Sequence, residues 1–128
     1  MKLDEIIAIS SRPGLFKILS KTRSGFIAQS LFDDVKISTK INDQISILDE
    51  INIFGINEEK PLNEIFKFIF EKENGFPVTK MHKASKENLM SYFSSVYENY
   101  DVHKVYANDV KKIISWYNIL HEKGFFDN

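Results

Sequence analysis

The sequence predicts an α+β protein, an N-terminal five-stranded SH3-like or Sm-like small β-barrel followed by a C-terminal three-helix unit. Hydrophobic spacing follows a period of two before about residue 60 and a period of 3.6 after it. Short turn-forming clusters divide the first part at the intervals that strands require. Each helical stripe in the second part is apolar on one side only, so it needs a neighbour to bury it.

The strand signal is clearest where Val35, Ile37, Thr39 and Ile41 alternate with Lys36, Ser38 and Lys40, the pattern of a half-buried strand. Turn chemistry marks out its neighbours. Arg12-Pro13-Gly14 suits a turn, with proline presetting one φ and glycine accepting a positive one. Thr22-Arg23-Ser24-Gly25 suits a hairpin connection, and Phe32-Asp33-Asp34 another short turn. Strands are therefore expected at about residues 5–10, 15–21, 26–31, 35–41 and 50–56, with Asn42 to Asp49 as the longer connection. So few short strands expose edges in an open sheet, and closure into a barrel or a curled sheet removes them. The expected domains are residues 1–57 for the barrel and 61–128 for the helices.

Pro61 suits the first turn of a helix. Leu62, Ile65, Phe66, Ile69 and Phe70 then form one apolar stripe, and Asn74-Gly75 ends it through a left-handed cap. Ser85 caps a second helix whose stripe is Leu89, Phe93, Val96, Tyr97 and Tyr100. Asn108 is the expected cap of a third, with Val110, Ile113, Ile114, Tyr117 and Leu120 facing inward and Gly124 closing it.

Composition excludes several classes. At 43% hydrophobic and 27% charged residues the chain has the balance of a globular protein, not of a disordered one. No apolar run approaches the ~20 residues of a membrane helix. The start, Met1-Lys2-Leu3-Asp4-Glu5, lacks the layout of a signal peptide. Without cysteine there are neither disulfides nor thiolate metal sites. A cytoplasmic protein with no membrane association is expected, and abundant Ile, Lys and Asn with few Ala suggest an AT-rich bacterial genome. Seventeen basic against eighteen acidic residues give a net charge of −1, so nucleic-acid binding would have to rest on a local patch.

The segment Ile7-Ala8-Ile9-Ser10 with Arg12-Pro13-Gly14-Leu15-Phe16-Lys17, followed by Ser24-Gly25-Phe26-Ile27, resembles the start of a family of short uncharacterised bacterial proteins. Val105-Tyr106-Ala107-Asn108-Asp109-Val110-Lys111-Lys112 with Ser115-Trp116-Tyr117-Asn118 is similar to that family's C-terminal signature. The likeness covers nearly the whole chain. It implies a small β-domain followed by a helical domain, and it brings no activity and no catalytic residues.

The residues themselves announce no chemistry. His82, His103 and His121 form no paired metal motif, and Ser10-Ser11 and Ser94-Ser95 lack the context of an exposed nucleophile. The common glycine-rich phosphate cradles do not occur. No enzyme, cofactor or metal site is expected.

Several surfaces remain as candidates. Lys80, His82, Lys83 and Lys86 gather near Ser85, where a helix N-terminus favours anions. A solvated loop partly offset by Glu87 is the plainer and favoured account. Lys17, Lys21, Arg23, Lys36 and Lys40 would form a basic face on the barrel, which by analogy of fold could hold RNA or a ribosome. Strict alternation turns Leu15, Leu19, Ile27 and Leu31 outward as an apolar strip, to be covered by the helices or by a partner or second copy. Trp116, Phe125 and Phe126 either complete the helical core, the favoured reading, or form an aromatic interface ledge.

Two binding modes are disfavoured. The β-half has only Phe16, Phe26, Phe32 and Phe54 as aromatics, a poor set for a cation cage. A helix-turn-helix would need a shorter link than Asp101 to Ala107 and a more basic face than Asp109, Lys111, Lys112, Ser115 and Asn118. A non-catalytic binding or adaptor protein acting through protein contacts, with an unknown partner or as a homodimer, is the expected function. RNA or ribosome binding is the alternative and is not favoured.

Overall fold

Alternating apolar residues build the N-terminal part into a sheet. The computed structural model describes residues 3–81 and 83–127, and the chain divides into two compact units, Met1–Ile51 and Asn52–Asn128. The first holds β1 (Ile6–Ile9), β2 (Phe16–Lys21), β3 (Phe26–Ser30), β4 (Lys36–Ser38) and β5 (Ile45–Ile47). They form an antiparallel sheet in the order β4-β3-β2-β1-β5. On one face Ile7, Ile9, Phe16 and Ala28 make a buried core, flanked by Ile18, Ile37, Ile45 and Ile47. The register explains this set, since Ala28 stands between Ile18 and Ile37 and Ile7 between Phe16 and Ile47.

The end of the β3–β4 pair is pinned by a polar side chain. Thr39 is buried. Its hydroxyl accepts the Phe26 N–H at 2.8 Å, while its own N–H donates to the Phe26 carbonyl at 2.8 Å. Gly25 lies so close that a Cβ there would run into the Thr39 hydroxyl, so glycine is required by the approach of the two chains.

The α+β class and the five-stranded sheet are as expected, with two differences. Strand five is Ile45–Ile47 rather than residues 50–56. It was hidden in the expected connection because one alternation, Ile-Ser-Ile, is too short to stand out, yet it sets two isoleucines on the core face beside β1. Barrel closure takes no ladder form among the described residues. The strands β4 and β5 are the two ends of the hydrogen-bonded order.

The second unit opens with a hairpin. Strands β6 (Asn52–Gly55) and β7 (Glu58–Pro61) pair around Ile56-Asn57, with Asn57 in the left-handed region at φ 59°. The hairpin belongs here because it joins the chain after the second helix. The Asp101 N–H donates to Phe54 O at 3.0 Å, the Ile56 N–H donates to Asn99 O at 2.9 Å, and Gly55 bridges to Tyr100. The Tyr97 hydroxyl donates to Glu58 at 2.7 Å. A Cβ at Gly55 would collide with that hydroxyl.

Helices α1 (Leu62–Lys72), α2 (Lys86–Val96) and α3 (Ala107–Glu122) follow. Their buried residues are those of the expected stripes: Leu62, Ile65, Phe66 and Ile69, then Leu89, Phe93 and Val96, then Val110, Ile113, Ile114, Tyr117 and Leu120. Ser85 caps α2, its hydroxyl accepting the Asn88 N–H at 3.1 Å. Helices α1 and α3 both end in Schellman motifs. Gly75 N–H reaches Phe70 O at 2.9 Å and Asn74 N–H reaches Glu71 O at 3.2 Å. Phe125 N–H reaches Leu120 O at 3.0 Å and Gly124 N–H reaches His121 O at 3.1 Å. The start of α3 differs from expectation. Asn108 lies inside the first turn, and the cap is the Asp109 carboxylate, which accepts the Tyr106 N–H at 2.9 Å.

Candidate interaction groove on the third helix

The segment between α1 and α2 carries little regular structure of its own, and α3 holds it in place. Asn118 makes two hydrogen bonds to one residue: its carbonyl accepts the Val78 N–H at 2.8 Å, and its amide donates to the Val78 carbonyl at 2.9 Å. The Tyr117 hydroxyl donates to Phe76 O at 2.9 Å, and His121 Nε2 lies 2.7 Å from Gly75 O, which it reaches as the donor. Phe126 returns after the helix to stack on Tyr117, with centroids 4.9 Å apart, and meets Phe66 edge-on at 5.9 Å. Burial, with Glu73 nearby, pushes the Tyr117 phenol up to about 12. Tyr92 donates to Glu73 at 2.6 Å, and its phenol is raised by burial first and by Glu73 second.

Holding Val78 against α3 leaves a groove of about 410 Å³ between the segment and the helix. Val78, Met81, Ile114 and Ile119 supply apolar lining, with Ser115 and Asn118 among them and Lys111 and Glu122 at opposite ends. Lys111, Ser115 and Glu122 are exposed, Ile119 part-buried, Ile114 and Val78 buried. At 1.5 Å per residue the two charges stand about 16 Å apart along the axis. Concave, apolar and bracketed by opposite charges, the groove suits one side of an amphipathic segment. Among the described residues no histidine lines it to activate Ser115. Among the described residues no three His, Cys, Asp or Glu side chains gather as a metal site requires. No helix among them is long and apolar enough to cross a membrane.

The residues singled out from the sequence are distributed differently. Lys80, Lys83 and Lys86 are exposed around the start of α2; His82 lies outside the described residues. Lys17, Gln29 and Lys36 align across β2, β3 and β4. Lys21 does not join them. The register shifts between Ile18 and Ser20, so Leu19 is an extra residue and Lys21 pairs with Phe26, on the face that carries Ala28. Arg23 is exposed in the following turn, and Lys40 begins a turn in which its N–H donates to Asp43 at 2.7 Å.

The apolar strip is interrupted rather than continuous. Leu15 is buried and Leu31 part-buried, joined by the Leu31 N–H to Leu15 O bond at 3.0 Å. Beyond them lies the Lys17–Gln29–Lys36 row, and only then Ile27, 37% exposed. Leu19, at 44%, occupies the bulge. Phe126 packs against Phe66, Phe70 and Tyr117 and, like Trp116 and Phe125, is part-buried. Val78, Met81 and Glu122 escaped sequence reasoning. Pro77-Val78 before a basic run was the one local hint of an anchored linker.

A family model described as Domain of unknown function (DUF6852) matches residues 51–120. The chain belongs to that family. A second model, Domain of unknown function (DUF5606), matches residues 3–48. One match thus falls on the hairpin-and-helix unit of this DUF6852 chain and the other on its sheet. The chain is also similar to a solution NMR structure of a protein from Bacteroides vulgatus, from the Northeast Structural Genomics Consortium. The two share 34% identity over 98% of this chain and 90% of that one, with a TM-score of 0.81. No curated protein matches. The resemblance to a short uncharacterised family with strands followed by helices holds, and the function of that family is unknown.

Proposed function

We propose that this chain is a non-catalytic binding or adaptor protein of the bacterial cytoplasm that works through protein contacts at the α3 groove. The groove carries this reading, since its apolar centre is set between Lys111 and Glu122 on a helix fixed by its neighbours. The partner it fits is an amphipathic segment that offers an apolar side chain between an acidic and a basic group. Cysteine-free, lysine- and isoleucine-rich composition supports the compartment.

The test places photoreactive p-benzoylphenylalanine at Ser115 in nuclease-treated extract of the native cell, with and without Ile119→Asp. Protein adducts that disappear with Ile119→Asp are expected. Absence of protein adducts, or adducts indifferent to Ile119, would overturn the reading. A second reading, RNA or ribosome binding on the sheet, has the aligned Lys17 and Lys36 in its favour. It requires retention of RNA that weakens steeply with salt and is lost in Lys17→Glu.

A further inference from the structure

We propose that the occupant of the α3 groove is α3 of a second copy of this chain, the two helices lying antiparallel about a two-fold axis. This rests on reading the groove as a protein-binding surface and names its partner. The six α3 residues that line the groove are symmetric about the midpoint between Trp116 and Tyr117. Lys111 mirrors Glu122, Ile114 mirrors Ile119, and Ser115 mirrors Asn118. A two-fold interface needs a patch that is complementary to itself, residue i meeting j and j meeting i.

Each mirrored pair meets that condition. Turning one helix end over end sets Lys111 against Glu122 of the second copy, and Glu122 against the second Lys111. Ile119, the part-buried member of the floor, comes over the second copy's Ile114, Val78 and Met81. Ser115 meets Asn118 next to the axis. The Asn118 amide spends one N–H and one lone pair on Val78, which leaves one of each for a hydroxyl.

Charge placement within one copy points the same way. Glu122 stands in the last turn of α3, where the helix dipole disfavours a negative charge. Among the described residues neither Lys111 nor Glu122 has an ion-pair partner. Antiparallel pairing supplies both at once. The contact runs for only about three helical turns, less than the ~800 Å² per partner of a standard interface, so the association is weak.

Sedimentation equilibrium on the purified chain, from about 20 µM to about 1 mM, reads it directly. The average mass should climb toward that of a dimer. Lys111→Glu and Glu122→Lys should each weaken self-association about tenfold, because each creates two like-charge pairs. The double variant Lys111→Glu with Glu122→Lys should restore it to within about twofold, since the swapped charges again oppose each other. Both positions are exposed, so the fold is kept, which circular dichroism checks. A dimer indifferent to the single reversals, or a double variant no better than either single, overturns the proposal. A monomer at every concentration also overturns it. If the Ser115 adducts to another protein then persist, the protein-binding reading stands; if they are absent as well, both fall.

Discussion

The outer face of the sheet and the outer face of α3 carry the same kinds of residue, lysines beside exposed or half-exposed aliphatics, yet α3 borders a groove while the Lys17–Gln29–Lys36 row lies flat. On the sheet, Lys17 and Lys36 flank Gln29 in a flat row, with Ile27 beyond them. The strands that make this face are held by their own backbone ladder. On α3, side chains reach out and capture a separate piece of chain, Asn118 binding Val78 and Tyr117 binding Phe76. That capture adds a second wall. What distinguishes the two is concavity, and it comes from side chain-to-backbone bonds across about forty residues rather than from composition.

The contrast can be broken most forcefully from below the groove. Tyr117 is fully buried and sits under the captured segment. Tyr117→Ala should cost about 3–5 kcal/mol through the cavity it leaves. Trp116, the single tryptophan, lies beside it in α3 and reports the loss as an earlier urea transition in fluorescence. Next in size is Asn118→Ala, which leaves both polar groups of the buried Val78 without their partner and should cost about 2 kcal/mol. Hydrogen exchange at Val78 should accelerate while α1 and α2 stay protected. The sheet's counterpart, Thr39→Val, removes a single acceptor from Phe26 and should cost about 1 kcal/mol.

A pH experiment separates the units in another way. The Tyr97 hydrogen bond, with smaller help from Asn99 and Lys60, holds the Glu58 carboxyl below its ordinary value against some desolvation. A carboxyl depressed in the folded state adds stability above its unfolded value near 4.5, and that stability is lost as pH falls through the lower folded value. Acid titration of wild type should therefore show a decline below about pH 4.5 that is smaller in Tyr97→Phe. Smallest of all, Lys17→Glu with Lys36→Glu on the flat face should shift stability by no more than about 0.5 kcal/mol. The same pair should leave the mass measured by sedimentation unchanged.

Much of the fold was legible because its signals are local. The stripes of α1, α2 and α3 repeat every turn, and Ser85, Asn74-Gly75 and Gly124 cap or close them where their chemistry predicts. What escaped was set by partners distant in sequence or by geometry without a residue signature. Ile45–Ile47 is a strand because β1 accepts it, not because three residues declare it. The bulge at Leu19 turns Lys21 away from Lys17, and no residue type there announces the extra position. Asn108 looks like a cap, but Asp109 reaches back to Tyr106 first. Part of the candidate site was visible on the outer face of α3, namely Lys111, Ser115 and Asn118; Val78 and Met81 are contributed by a linker that Asn118, Tyr117 and His121 locate from a distance in sequence.

The most direct test of the contrast is amide chemical-shift mapping as the purified chain is concentrated over the range used for sedimentation. The shifts should move at Val78, Met81, Lys111, Ser115, Ile119 and Glu122, and stay fixed at Lys17, Gln29 and Lys36. Movement confined to the β2–β3–β4 row, with the α3 residues still, would contradict the account.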